Sequence, residues 1–113
     1  MLDKTNFYRQ RKNKAPLRWS GTLANIAAPH SRWMAEAGSC SHDNVDDRFG
    51  QIECNAKAEN VAYTSHGTAE SMVKDWYNSP GHKKNMLGDF ACCGIAIAED
   101  NSGGKYATQL FSS

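Results

Sequence analysis

No stretch of the chain approaches the ~18 consecutive apolar residues that a membrane helix requires, so a membrane-spanning helix is excluded. Charge of one sign is missing as well: 13 Lys and Arg stand against 12 Asp and Glu, a formal net charge of +1. The densest basic stretch, Arg9, Arg11, Lys12, Lys14 and Arg18, is local and reads as a solvated helix face and turn. Nucleic-acid binding needs a broader basic footprint, so no nucleic-acid partner is expected. There is no internal repeat, no low-complexity segment and no linker-like break. An apolar leader is also lacking; a secreted protein with this sequence would have Met1 at the start of its mature form. At 113 residues the chain has room for one core, burying roughly two thirds of its unfolded surface. A single domain over residues 1–113, monomeric in solution, is the expectation.

What is present begins with four cysteines, Cys40, Cys54, Cys92 and Cys93. None has C-x-x-C spacing, which argues against a zinc ribbon or a thioredoxin-type site. The neighbours Cys92 and Cys93 have Cα atoms held ~3.8 Å apart by a trans peptide, below the usual disulfide range. They are expected to pair outward, one with Cys40 and the other with Cys54, in either combination. Each bridge would close a loop of about 40 to 50 residues and add ~4 kcal/mol in the chain-entropy account. Such a pattern suits a secreted protein.

Local signals divide the chain into elements. Asp3 to Lys14 reads as a polar helix ended by Ala15-Pro16. Ser20 can cap a second helix whose face carries Leu23, Ile26, Ala27, His30, Trp33, Met34 and Ala37, with Gly38 as its stop. Pro29 should kink this helix or shift its start. Residues 39 to 57 read as a loop. Ala58 to Thr64 reads as a strand with Glu59, Val61 and Tyr63 on one face and Asn60 and Ala62 on the other. Thr68 caps a third helix through Tyr77, and Ser79-Pro80 starts a fourth that carries His82. The end reads as a hairpin, Cys92 to Ala98 and Lys105 to Phe111, in which Gly94, Ala96 and Ala98 form a small-residue face open to close approach. The order of elements implies an α+β domain around a small antiparallel sheet.

Three side chains carry chemical potential. Glu59 shares a strand face with Val61 and Tyr63, so its carboxylate should be partly buried and must find a partner. His82 lies in the first turn of a helix, where the macrodipole disfavours the imidazolium and so favours the metal-binding neutral form. His42 lies in the loop beyond Gly38, next to Cys40, whose disulfide would fix that loop. If they converge, two imidazoles and a carboxylate could hold zinc or another divalent metal with an open water position. His30 and His66 read as structural: a helix-face residue and a loop residue.

The run Asn6…Arg9…Ala15-Pro16-Leu17-Arg18-Trp19-Ser20…Leu23-Ala24…Ala27, then His42, then Ala58-Glu59-Asn60-Val61-Ala62, resembles in order the signatures of the CAP family. This is the cysteine-rich secretory protein, antigen 5 and pathogenesis-related group, also termed SCP-like. Trp76-Tyr77-Asn78-Ser79-Pro80-Gly81-His82-Lys83-Lys84-Asn85-Met86 is similar to the form found in its compact bacterial and fungal branch. The closing strands, Gly94-Ile95-Ala96-Ile97 and Tyr106 to Phe111, continue the match. The resemblance implies an α-β-α sandwich with the sheet between helical layers. It also implies a cleft of His42, His82 and Glu59, with Asn60 and Ser79 beside it. The family's second glutamate, three residues after the tryptophan, is Ser79 here, so the fuller four-residue site is incomplete.

The resemblance further implies a secreted binding module, for a sterol or fatty acid or for a host protein, in defence or virulence. A metal-dependent hydrolase or peptidase with Glu59 as general base is the alternative. A receptor-recognised signalling scaffold is a third reading.

Overall fold

The structure, a computed structural model, describes residues 1–113. Several of its helices begin at short polar residues, and the longest ends at glycine. In α2 (Gly21–Ala37) the Ser20 hydroxyl accepts from Leu23 N at 3.1 Å, and Gly38 ends the helix in the left-handed region at φ 65°. Pro29 sits inside α2 without shifting its start. In α4 (Ala69–Tyr77), Thr68 and Ser71 exchange side-chain to backbone hydrogen bonds in a capping box. Pro80 opens α5 (Pro80–Met86), but the Ser79 side chain makes no capping bond. The first helix, α1 (Leu2–Arg11), stops short of Lys14, and Asn13 turns the chain at φ 59°.

Two elements were not foreseen. A two-residue strand, β1 (Arg18–Trp19), pairs in parallel with β3 (Cys92–Glu99), so the sheet is mixed rather than wholly antiparallel. Asn6 guides the chain into it, its amide oxygen accepting from Leu17 N at 2.7 Å and its nitrogen donating to Leu17 O at 3.0 Å. A short helix, α3 (Val45–Gly50), interrupts the segment expected to be a loop. With β2 (Lys57–Thr64) and β4 (Lys105–Ser112) the sheet order is β1-β3-β4-β2. Helices cover both of its faces, which is the sandwich the sequence resemblance implied.

Strand alternation sorts the core into two sides. Cys93, Ile95, Ala107, Phe111 and Ala58 face α1, α4 and α5 and pack with Tyr8, Leu17, Met72, Val73, Trp76 and Met86. On the other side α2 lies close against β3. A Cβ on Gly94 would stand 2.6 Å from Leu23 Cβ, so only glycine admits the helix there. Ser31 ties the same contact by hydrogen bonds to Ala96 O and the Thr108 hydroxyl. The free edge of β2 is covered by side chains: Trp76 Nε1 donates to Val61 O at 2.9 Å and Asn85 Nδ2 to Glu59 O at 3.2 Å.

One sequence expectation is corrected. Arg9 is not on a solvated face: it is buried and donates to the carbonyls of Ala15, Met86 and Gly88, tying α1 to the end of α5. The four cysteines stand as free thiols in this structure. Cys92 and Cys93 point to opposite faces of the sheet, Cys93 fully buried among the α1 and α4 residues, while Cys40 is exposed beyond the end of α2.

Candidate functional site

Glu59 is the fixed point of the site. Its position on β2, between the buried Ala58 and Asn60, aims the carboxylate under α3, where its side chain is 1% exposed. A carboxylate so deeply placed requires donors, and it has three. Arg48, from α3, donates from Nε to Oε2 at 2.6 Å and from Nη2 to Oε1 at 2.7 Å. His42 Nδ1 lies 2.9 Å from Oε1. Since an ionised carboxylate only accepts, Nδ1 carries a proton towards Glu59, and in the neutral ring Nε2 is the nitrogen with the lone pair. The His42 side chain is 49% exposed, so that lone pair is accessible from solvent.

The loop bearing His42 is held without a disulfide. Arg48 Nη1 donates to Asp43 O at 2.7 Å, and His30 Nε2 reaches Ser41 O at 2.7 Å from α2. His30 is buried and stacked on Trp33, and burial lowers its pKa, which suits a neutral structural ring. Asn44, at φ 61°, turns the chain from this loop into α3. Cys40 therefore has no fixing role here; hydrogen bonds from Arg48 and His30 perform it.

His82 enters from α5 on the other side of β2. Asn60 Nδ2 donates to His82 O at 3.3 Å, and Asn85 Nδ2 donates to Asn60 Oδ1 at 3.0 Å. The pKa of His82 is lowered, by burial first and by the charge of His42 second. Ser79 is half-buried at the start of α5 and supplies its carbonyl to Lys83 N at 2.8 Å, with no carboxylate in its place.

The arrangement joins His42 directly to Glu59, and ties the backbone carbonyl of His82 to Asn60, the neighbour of Glu59 on β2. No group of three or more His, Cys, Asp or Glu side chains is gathered closely enough to hold a metal ion. Any metal here would thus rest on the two imidazoles, a nitrogen donor pair that suits zinc, with Glu59 orienting His42 rather than ligating. Arg48 is the functional residue that sequence reasoning missed. The available signal was the buried carboxylate itself, which demands a cation, and Arg48 stands in the adjoining segment.

The family model described as "Cysteine-rich secretory protein family" (CAP) matches residues 2–111. An uncharacterized membrane protein of Bacillus subtilis, YlbC, is 32% identical over 119 residues, which take in 98% of this chain and 33% of YlbC. An extracellular SCP-domain protein from Bacillus anthracis superimposes with a TM-score of 0.81 at 31% identity, over 98% of this chain and 38% of that one. An outer surface protein of Borrelia burgdorferi superimposes with a TM-score of 0.83 at 20% identity, over 97% and 86% of the two chains, a likeness of fold. This chain thus spans less than half the length of either Bacillus relative.

Proposed function

The chain belongs to the cysteine-rich secretory protein (CAP) family, and on that premise we propose that it is a secreted, non-enzymatic binding module whose His42 and His82 take a divalent metal, zinc by donor chemistry. One observation carries the reading: both Glu59 oxygens are already occupied, by Arg48 in a two-point pairing and by His42. Three of its roughly four lone-pair sites are taken and the side chain is 1% exposed, whereas a general base must reach the water or substrate whose proton it takes. Glu59 is instead an anchor that sets the tautomer of His42 and points Nε2 outward. With Ser79 where a second carboxylate would stand, the residues suit binding better than hydrolysis.

His42 and His82 would hold the metal, leaving its remaining positions to solvent or to atoms of a partner; bound there, it would supply a Lewis acid. Secretion is supported by the extracellular B. anthracis relative, and no helix of this chain is long and apolar enough to cross a membrane. The nature of the surface bears on the partner. The groove of about 300 Å³ between α2 and α3 is lined by Asn25, Asn44, Asp47, Arg48 and Gln51 beside Ile26 and Trp33. Such a lining favours a protein surface, of a host or a receptor, over a sterol or fatty acid.

The test is thermal unfolding with and without zinc. Zinc is expected to raise the melting temperature of the native chain, and His42→Ala and His82→Ala each to abolish the shift. Glu59→Gln should weaken zinc binding by about 10–100-fold, as loss of an orienting partner does. No shift in the native chain, or an undiminished shift in both alanine variants, would sink the metal reading. Peptide or ester turnover that needs Glu59 would restore the hydrolase.

A further inference from the structure

We infer that Cys54 and Cys92 are an oxidisable pair that closes the chain's one intramolecular disulfide, leaving Cys40 and Cys93 as thiols. The inference is independent of the metal reading.

The two sides of the sheet separate the candidates. Cys92 and Cys93 are consecutive on β3 and therefore face opposite layers. Cys93 lies fully buried beside Phe111, takes a hydrogen bond from Gln109 Nε2 at 3.5 Å, and has its thiol pKa pushed up to about 12 by burial. No other cysteine packs in that layer. Cys40 lies past the C-terminal end of α2, where Met34 packs beside Tyr106. Tyr106 pairs with Ala98, six residues along β3 from Cys92. At ~3.4 Å per residue that is about 20 Å, against a disulfide Cα span of roughly 4.4–6.8 Å.

Cys54 and Cys92 share a place. Both are half-buried, and both pack against the same small cluster of Leu23, Ala27, Ile52 and Leu110. The register explains why. Ser112 is paired with Lys57 on one side and with Cys92 on the other, and Ser113 N donates to Ala56 O at 3.0 Å. Lys57 and Cys92 thus stand two strand spacings apart, about 10 Å. The three residues from Cys54 to Lys57 can cover that distance. Cys54 belongs to a segment outside helix and strand, so a local shift breaks no ladder hydrogen bond.

The chemistry is thiol–disulfide exchange with a small disulfide such as glutathione disulfide as oxidant. One cysteine thiolate attacks the oxidant's S–S bond, forming a mixed disulfide and expelling one glutathione thiolate. The second cysteine thiolate then attacks the protein-bound sulfur, forming the Cys54–Cys92 bond and expelling the second glutathione. Two protein thiols are oxidised, and one glutathione disulfide is reduced to two glutathiones.

The experiment equilibrates the full chain in glutathione buffers from reducing to oxidising, blocks free thiols with N-ethylmaleimide under denaturing conditions, and maps the digest by mass spectrometry. Expected is a loss of two hydrogens from the intact mass, with Cys40 and Cys93 blocked and a linked pair of peptides carrying Cys54 and Cys92. Because Cys92 and Cys93 share a peptide, variants assign the bond: Cys93→Ala and Cys40→Ser should retain it, and Cys92→Ala should leave Cys54 blocked. Oxidation should also raise the melting temperature of the native chain and not that of Cys92→Ala. A linkage through Cys40 or Cys93, or four blocked thiols at every buffer ratio, would overturn the proposal.

Discussion

The two faces of the sheet are built on different physics. The face under α1, α4 and α5 buries large apolar side chains, Trp76, Met72, Met86 and Phe111, in one continuous cluster. Its polar members form a closed chain: Asn85 to Asn60, Asn60 to Gln109, Gln109 to Thr5 and Thr5 to Met1 O, every donor meeting an acceptor. The face under α2 and α3 has two small apolar clusters, a glycine contact, and a buried ion pair whose third partner, His42, is half in water. The first face is stabilised mainly by burial; its buried charge, Arg9, is taken up by backbone carbonyls, and Asn60 anchors the backbone of His82. The second holds charge in place, at a cost in desolvation, and presents it to solvent. Stability and chemistry are thus divided by one sheet, with Asn60 and Glu59, adjacent on β2, facing the two sides.

That division can be broken most forcefully at Trp76. Trp76→Ala removes the largest buried side chain of the first face and leaves Val61 O without its donor. A loss of about 5 kcal/mol is expected, the top of the range for truncating a buried aromatic, lowering the melting temperature by roughly 20 °C. Zinc affinity of the fraction still folded should be unchanged. A variant that melts normally, or that folds but loses zinc, would show that the faces are not separate.

Arg48→Ala is the matching cut on the second face. It strands the Glu59 carboxylate in the interior and should cost about 3 kcal/mol, read from the urea midpoint. Replacing both partners, Arg48→Met with Glu59→Leu, should recover most of that stability, because no buried charge remains uncompensated. The double variant should still lose the zinc-induced shift, having lost the partner that orients His42. Recovery of stability without recovery of zinc binding separates the pair's structural cost from its functional use. Failure of the double variant to recover would mean that Arg48 matters chiefly through its hydrogen bond to Asp43 O.

The same division marks what could be read from the sequence. Elements ruled by local punctuation were legible: Ser20 and Gly38 for α2, Thr68 for α4, and the alternation of Cys92 to Ala98 for β3. So was the burial of Glu59 on its strand face, and the close approach over Gly94. Elements that owe their existence to long-range contacts were not. β1 is two residues long and exists because Asn6 and β3 hold it. α3 lacks a side-chain cap and stands in a segment without apolar period, yet it delivers Arg48. The burial of Arg9 was hidden by its charged neighbours, since nothing local says that the distant carbonyls of Met86 and Gly88 will meet its guanidinium. His42 meeting Glu59 was implied by family resemblance alone, because seventeen residues separate them in sequence. For the cysteines, adjacency correctly excluded a bridge between Cys92 and Cys93, but it could not reveal that the two faces assign them to different layers.

The smallest effect tests whether the half-wet face is also the pH-sensitive one. His82 and His30 both have folded-state pKa values lowered by burial. In the unfolded chain a histidine binds its proton near pH 6.5. As the pH falls through that value the unfolded state takes up protons that the folded state resists, so stability falls; above it, both states are neutral and the contribution is complete. The urea midpoint should therefore drop on moving from above to below about pH 6.5. His82→Asn should flatten part of that slope and His30→Asn another part. If zinc rests on the neutral imidazole of His82, its affinity must fall only at lower pH, where the folded-state ring takes up its proton, because proton and metal compete for one lone pair. A stability slope that survives both substitutions would assign the acid sensitivity to groups other than these two histidines, the carboxylates, Glu59 included, being next in line.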